Sequence, residues 1–308
     1  MMSKRIFVVG GSYFLGRVFC LLTKGEEDFA LTLVNRGRYS MSSLPNVTEY
    51  RCDRHDAAAL RAIPGGHYDA IVDFCGYSAG DIRTLLENCA VTADRYIFIS
   101  TADVYQRNPW TPPDETAPLL TEFAPGQVGD YLRGKVELER ELGEACAARG
   151  MSATVFRPAF LYGPYNYAMR EAYFFQKMLH GEIIPFPTDA TATFQFVYVK
   201  DAAQAVIAAI RAARPGIEAF NLAAPEALDY GAFFDTLRRI SGLPVETAPV
   251  TVRDVLEQNI PLPFPLTDGE SERYDGEKVC RELGVTYTPF EEGLSRTYQA
   301  MKPIFTDR

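Results

Sequence analysis

Tyr131 and Lys135 stand four residues apart in YLRGK, so on a helix their side chains share a face. A free tyrosine is a poor base at neutral pH, and lowering its pKa by about three units takes roughly 4 kcal/mol. One ammonium about 4 Å away, at an effective dielectric of ~20, supplies energy on that order. The pair can therefore carry acid–base chemistry on a hydroxyl or carbonyl, although the same spacing also occurs as surface decoration. Ser100 and Thr101 lie at the end of a strand about thirty residues earlier. There a hydroxyl either hydrogen-bonds a substrate oxygen beside the tyrosine or simply satisfies the end of the strand.

These groups need a scaffold, and the stretch RIFVVGGSYFLG (Arg5 to Gly16) defines it. Ile6 to Val9 is a short β-branched run suited to a buried parallel strand, glycines break it, and an apolar helical run follows. In such a unit the first glycine makes the turn, a middle one lets backbone approach a pyrophosphate, and the last lets helix pack on strand. Gly10 and Gly16 hold the outer places, Tyr13 stands in the middle one, and Ser12, Phe14 and Leu15 complete the candidate cofactor loop. A side chain at Tyr13 either deflects the phosphates or offers them its hydroxyl. Further strands are expected at Ala30 to Asn35, Thr48 to Arg51, Tyr68 to Asp73, Arg95 to Ser100 and Ala153 to Arg157. Helices at Leu15 to Lys24, Ala79 to Asn88 and Asp130 to Arg149 alternate with them. This alternation predicts an α/β fold with a doubly wound parallel sheet and ligand at the carboxyl ends of the strands. Later elements are expected at Glu171 to His180, Phe194 to Val199, Asp201 to Ala213 with Asp201 as cap, Gly231 to Ser241 and Glu291 to Ala300.

The 308 residues, 47% of them apolar and 23% charged, suffice for such a sheet plus a smaller unit. We expect a dinucleotide-binding domain over residues 1–160 and a substrate lobe over 161–308, interleaved with the last strands of the sheet. The net charge of −9 argues against general affinity for nucleic acid or anionic membrane. The six cysteines show no CxxC pair, and His55, His67 and His180 are isolated, so no metal site is expected. The apolar run near the N-terminus is interrupted by Gly10, Gly11 and Arg17, and no stretch approaches the ~18 apolar residues of a membrane span. The expectation is a cytoplasmic protein. The proline-rich segment Asn108 to Pro125, with Trp110, should be an irregular loop bordering the cleft.

GGSYFLG after the first strand, STADVY after the fifth, YLRGK, and RPAFLYGP after the sixth resemble, in order and spacing, the extended short-chain dehydrogenase/reductases, the NAD-dependent epimerase/dehydratase family. The resemblance covers nearly the whole chain. It implies that Tyr131 is the general acid/base, that Lys135 lowers its pKa and holds the nicotinamide ribose, and that Thr101 orients the substrate oxygen. Hydride would pass between a substrate carbon and the nicotinamide ring. Asp53 looks like the family's adenine-contacting aspartate, although it or Asp56 could equally cap the next helix. Cys75 and Gly76 end the fourth strand and should line the cofactor cleft or form a plain turn; Pro158 closes the cofactor set.

An NAD-preferring site usually carries a carboxylate at the end of the second strand. Asn35-Arg36-Gly37-Arg38 stands there instead, and an arginine offers a 2′-phosphate a charge-assisted fork, so NADP is favoured within NAD(P) unless these arginines are merely solvated. Thr101-Ala102-Asp103 lacks the acid pair of the family's dehydratases, so dehydration is not expected. Phe160 and Phe194 replace polar contacts usual for sugar diphosphates, which implies a smaller or less charged, sugar-like substrate. Tyr77, Asp103, Tyr162, Tyr165, Asn166 and Phe194 are the candidate substrate residues, the aromatic ones being equally suited to the core. The result is a reductase or an epimerase. A rival reading is a dinucleotide-sensing or RNA-binding protein, because GGSYFLG also resembles the loop of chloroplast stem-loop RNA-binding proteins and redox-sensing regulators. Family members often pair through the tyrosine helix, suggesting a homodimer, while Leu138, Leu142 and Cys146 on that helix could simply face the sheet.

Overall fold

A computed structural model describes residues 3–26, 28–108 and 111–306. Seven strands form one sheet: β1 (Lys4–Val9), β2 (Phe29–Asn35), β3 (Val47–Arg51), β4 (Ala70–Asp73), β5 (Arg95–Ile99), β6 (Ser152–Pro158) and β7 (Ile217–Leu222). Their order across the sheet is β7-β6-β5-β4-β1-β2-β3, and every pairing is parallel. The chain reverses direction across the sheet between β1 and β4, and the crevice outside their carboxyl ends is where such folds take ligands. Strands buried on both faces read as apolar runs, and Ile6 to Val9 and Tyr96 to Phe98 are at most 1% exposed.

One face of the sheet is covered by α1 (Phe14–Thr23) and the helix Val199–Ala212, the other by α2 (Asp81–Asn88) and α3 (Gln127–Arg149). Leu138, Leu142 and Cys146 are no more than 1% exposed and pack onto the sheet, so they offer no surface to a second copy. The edge strand β7 lies well past residue 160 in the sequence, yet pairs with β6 in the main sheet. The lobe is built on a small sheet of Phe160–Tyr162, Phe194–Tyr198 and Ala227–Leu228, around an aromatic core in which Phe194 stacks on Phe264 at 4.8 Å and Phe196 on Phe290 at 4.8 Å.

Several sequence expectations are corrected. The run Tyr68 to Asp73 is two strands: Gly66–Tyr68 leaves to pair with Val91–Ala93, and Asp69 stitches the break to Arg5, accepting the Arg5 N–H at 2.8 Å. Asp201 does not cap its helix, which starts at Val199; it sits in the first turn and accepts the Thr288 N–H and hydroxyl at 2.7 and 2.9 Å. The loop 111–125 does not line the cleft. Asn221 holds it to β7, donating to the Pro113 carbonyl at 3.1 Å, and the Glu115 carboxylate accepts the Asn221 N–H at 2.8 Å. Trp110 lies outside the described residues. No helix among the described residues is long and apolar enough to cross a membrane.

Candidate active site

A cavity of about 950 Å³ runs along the carboxyl ends of β1, β2, β4 and β5. The glycine loop forms its floor. Gly10 has φ +86°, and a Cβ there would lie 2.8 Å from Cys75 Sγ. At Gly16 a Cβ would lie 2.7 Å from the Gly10 carbonyl oxygen, so only glycine lets α1 close on the turn. Gly16→Ala is expected to cost about 1–3 kcal/mol of stability, read as a lowered urea midpoint. Tyr13, in the middle place, has ordinary extended backbone and caps α1; Phe14 takes the strained φ of +33°. The Tyr13 ring lies edge-on to Tyr39 at 4.9 Å and to Tyr167 at 6.2 Å, beside the path a pyrophosphate would take along the loop.

At the end of β2, Asn35 is occupied by its own fold, donating to Glu49 at 2.7 Å and accepting the Gly37 N–H at 2.6 Å. Glu49 is turned to this corner, also accepting the Met41 N–H at 3.1 Å, and does not line the cavity. What the cavity meets here is Arg36 and Arg38, both exposed. Asp56, not Asp53, caps the helix Ala57–Arg61, accepting the Ala58 and Ala59 N–H groups at 3.0 Å; Asp53 is left lining the cavity.

Beyond β4 the wall is held by a buried charge cluster. Arg54, 7% exposed, donates to both Asp73 oxygens at 2.8 and 3.0 Å, and the Tyr96 hydroxyl and Cys75 N–H also donate to Asp73, at 2.7 and 3.0 Å. Burial raises the Asp73 pKa, but the Arg54 charge and these donors outweigh it and leave the carboxyl below its usual range. Burial pushes the Cys75 thiol up to about 12, so it lines the cleft as an inert group. Gly76 does not line the cavity; its carbonyl accepts Lys135 Nζ at 2.7 Å.

Lys135, 2% exposed, also donates to the Ile99 carbonyl at 2.8 Å, and burial lowers its pKa to about 8. Its Nζ lies 5.7 Å from the centre of the Tyr131 ring. Tyr131 is 37% exposed as a residue and lines the cavity. Burial and then the Asp103 charge push its pKa up, and a hydrogen bond with the Thr101 hydroxyl pulls the other way. Burial and then Asp103, rather than Lys135, thus govern Tyr131 in this state. Ser100 is 3% exposed, and its hydroxyl lines the cavity without a hydrogen-bond partner. A tight glycine turn along the cavity, a hydroxyl left without a partner and the cations Arg36 and Arg38 together fit a dinucleotide.

The cavity brings together Gly10, Ser12, Tyr13, Phe14, Leu15, Gly16, Asn35, Arg36, Arg38, Asp53, Cys75, Ser100, Thr101, Tyr131, Lys135 and Pro158, with Tyr77, Asp103 and Asn166. Three expected substrate residues are elsewhere. Tyr162, 2% exposed, is packed under Gly293 and donates to the Phe290 carbonyl; Phe194 is fully buried in the lobe core; Tyr165, at φ +69°, lies outside the cavity with its ring 4.6 Å from the Arg17 guanidinium. Sequence reasoning missed Arg54, Tyr167, Arg170 and Glu272, all of which line it. Arg54 sits inside CDRHD beside Asp53, and Glu272 inside ESERYDGEKVC, so the stretches were visible without a hint of which side chain turns inward.

The sequence profile of the NAD dependent epimerase/dehydratase family matches residues 6–223, and the chain belongs to that family. The chloroplast stem-loop binding protein of 41 kDa b from Arabidopsis thaliana is 26% identical over 256 residues, 79% of this chain and 64% of that protein. The chain therefore spans about two thirds of that relative's length. Among solved structures, the UDP-N-acetylglucosamine 4-epimerase of Methanobrevibacter ruminantium is 19% identical with a TM-score of 0.79, covering 99% of this chain and 100% of that one. The UDP-glucose 4-epimerase of Thermotoga maritima is 22% identical with a TM-score of 0.74, over 97% and 99% of the two chains. The dTDP-glucose 4,6-dehydratase of Bacillus anthracis is 19% identical with a TM-score of 0.76, over 97% of each. At these identities the structures establish a shared fold.

Proposed function

We propose that this protein is an NAD(P)-dependent epimerase or reductase acting at a hydroxyl or keto carbon of a sugar-like substrate, with sugar nucleotides the class to try first. The observation that carries this reading is that Tyr131, Thr101 and Lys135 line one cavity together with the glycine loop. NAD(P), when bound, accepts or supplies the hydride at carbon. Tyr131 gives or takes the proton at the substrate oxygen, and Thr101 orients that oxygen. Because burial keeps Tyr131 a phenol at neutral pH, its ready role is as acid to a carbonyl. Lys135, with two of its N–H groups on carbonyls, has a third for a ribose hydroxyl.

Arg36 and Arg38 line the cavity past β2, where the chain carries Asn35 in place of a carboxylate, and they support NADP over NAD, with Asp53 close enough to Arg36 to feel its charge. Charge-assisted bonds are worth about 1.5–3 kcal/mol, so Arg36→Ala is expected to weaken NADP+ about tenfold or more in a calorimetric titration and leave NAD+ unchanged. Equal effects on the two nucleotides would remove the NADP assignment. The activity is tested by incubating the protein with UDP-glucose, UDP-galactose and their N-acetyl counterparts, with and without NADPH. An epimerase interconverts a pair without consuming added cofactor; a reductase consumes NADPH. The stem-loop-binding relative keeps RNA as the second reading, and binding of a hairpin RNA that weakens steeply with salt would favour it.

A further inference from the structure

The ammonium of Lys135 sits in a socket to which three separate parts of the chain contribute. Two of its N–H groups donate to carbonyls, that of Gly76 at 2.7 Å and that of Ile99 at 2.8 Å. Two rings flank it as well: Nζ lies 4.7 Å from the centre of the Tyr77 ring and 4.9 Å from that of Phe98, closer than the 5.7 Å to Tyr131. Phe98 is fully buried on β5, whereas Tyr77 is 45% exposed and lines the cavity. The partners of this buried cation are carbonyls and ring faces, with no ion pair to a carboxylate among the described residues.

The backbone fixes where the Tyr77 ring stands. Its N–H and that of Ser78 donate to one Asp81 carboxylate oxygen, at 2.8 and 3.1 Å, which ties the turn after β4 to the first turn of α2. Its carbonyl lies so near α3 that a Cβ at Gly134 would stand 2.1 Å from the oxygen, so the close approach requires glycine there. A Cβ at Gly76 would likewise stand 2.9 Å from the Phe98 ring. The glycine inside YLRGK and the glycine before Tyr77 thus let turn and helix close until the Tyr77 ring reaches the ammonium of the residue after Gly134. A cation withdrawn from water gains more from a ring face than an exposed one does. An ammonium has three donors, two of them here on carbonyls, and the flexible stem of a lysine does not by itself fix where the third points.

We propose that Tyr77 is a positioning residue for Lys135: its ring holds the ammonium against the Gly76 and Ile99 carbonyls and so presents the one uncommitted N–H to the cavity, for a ribose hydroxyl of the dinucleotide. The inference rests on the reading of Lys135 as the ribose-holding cation. Tyr77 then serves the cofactor through Lys135 rather than the sugar directly, and it is the ring face, not the phenol hydroxyl, that does so. Gly134 belongs to the same device, because any larger residue would push the Tyr77 backbone off α3 and take the ring with it.

The test pairs magnetic resonance of the protein without added nucleotide, isotope-labelled at lysine Cε, with calorimetric titration of NADP+ and NAD+. The Lys135 signal is assigned by its absence in Lys135→Met, and ring currents should set it apart from the signals of exposed lysines. Tyr77→Leu should move it, and Tyr77→Phe, which keeps the ring, should leave it in place. Tyr77→Leu should weaken both nucleotides alike, by about tenfold, because both carry the nicotinamide ribose, while Tyr77→Phe should bind them as wild type does. Added to Lys135→Met, Tyr77→Leu should cost nothing further. An unmoved Lys135 signal in Tyr77→Leu, or an undiminished loss of affinity when Lys135 is already replaced, overturns the proposal. So does an equal loss in Tyr77→Phe, which would make the hydroxyl the working group. Should Tyr77→Leu fail to fold, Tyr77→Gln is read in the same way. If Lys135→Met binds both nucleotides as tightly as wild type, the ribose reading falls, while a signal moved by Tyr77→Leu and not by Tyr77→Phe still supports the socket. A loss of binding in Lys135→Met beside an unmoved signal in Tyr77→Leu keeps that reading and overturns the role of Tyr77.

Discussion

Tyr131→Phe should lower turnover by about 10²–10⁴-fold while leaving the calorimetric affinity for NADP+ within error of wild type. The substitution removes one oxygen where the side chain borders the cavity, and the Thr101 hydroxyl keeps Asp103 as acceptor at 3.2 Å, so the fold should be little disturbed. Loss of rate without loss of binding or stability is therefore the signature of acid–base work. The pH dependence sharpens it. Burial and the Asp103 charge hold the Tyr131 pKa above the ordinary phenol value, so the phenol is present throughout the neutral range. Reduction by wild type then owes no alkaline limb to Tyr131 itself until the pH passes that of a free tyrosine. Equal loss of NADP+ binding and rate in Tyr131→Phe would mean that the hydroxyl serves the cofactor and that another group handles the proton.

The parts of this site that the sequence disclosed are those written in contiguous residues. Gly10 and Gly16 are demanded by the backbone itself, because a Cβ at either meets Cys75 or the Gly10 carbonyl. Tyr131 and Lys135 share a helix, and Thr101 ends a strand, so local geometry places all three. The aromatic candidates failed for the opposite reason. Tyr162 and Phe194 have the same composition cues whether a ring lines a cleft or fills a core, and only the packing of Phe264, Phe290 and Gly293 around them decides. Glu272 is the clearest case of information absent from any local window. A carboxyl raised first by burial and then by a neighbour about 170 residues away exists only once the segment after Phe264 has packed beside Asp103. Asp201 misled for a related reason: an aspartate near a helix start reads as a cap, whereas tertiary structure gave its oxygens to Thr288.

Arg54 and Asp73 show the same dependence on distant partners, and with a larger energetic consequence. Asp73→Ala should destabilise the fold by about 3–5 kcal/mol, measured as the loss in unfolding free energy in urea. The reason is less the bonds lost than the charge left behind: Arg54 would remain buried with only the Asp81 carbonyl at 2.9 Å and the Asp81 carboxylate at 3.8 Å, beside a Tyr96 hydroxyl that has also lost its acceptor. The double replacement Arg54→Met with Asp73→Val should then be less damaging than Asp73→Ala, because it removes both charges together. The pH dependence has a fixed sign. Asp73 is depressed in the fold, so its contribution is fully present above the unfolded carboxylate pKa of about 3.9 and is lost as pH falls through the lower folded value. Asp73→Ala should accordingly flatten the acid limb of stability. The damage should also reach the site, since Asp73 anchors the Cys75 N–H, and Gly76 next to it holds Lys135. A variant that lost less than about 1 kcal/mol, the worth of an ordinary exposed pair, would show that water enters the cluster and that the wall of the cavity is held by something else.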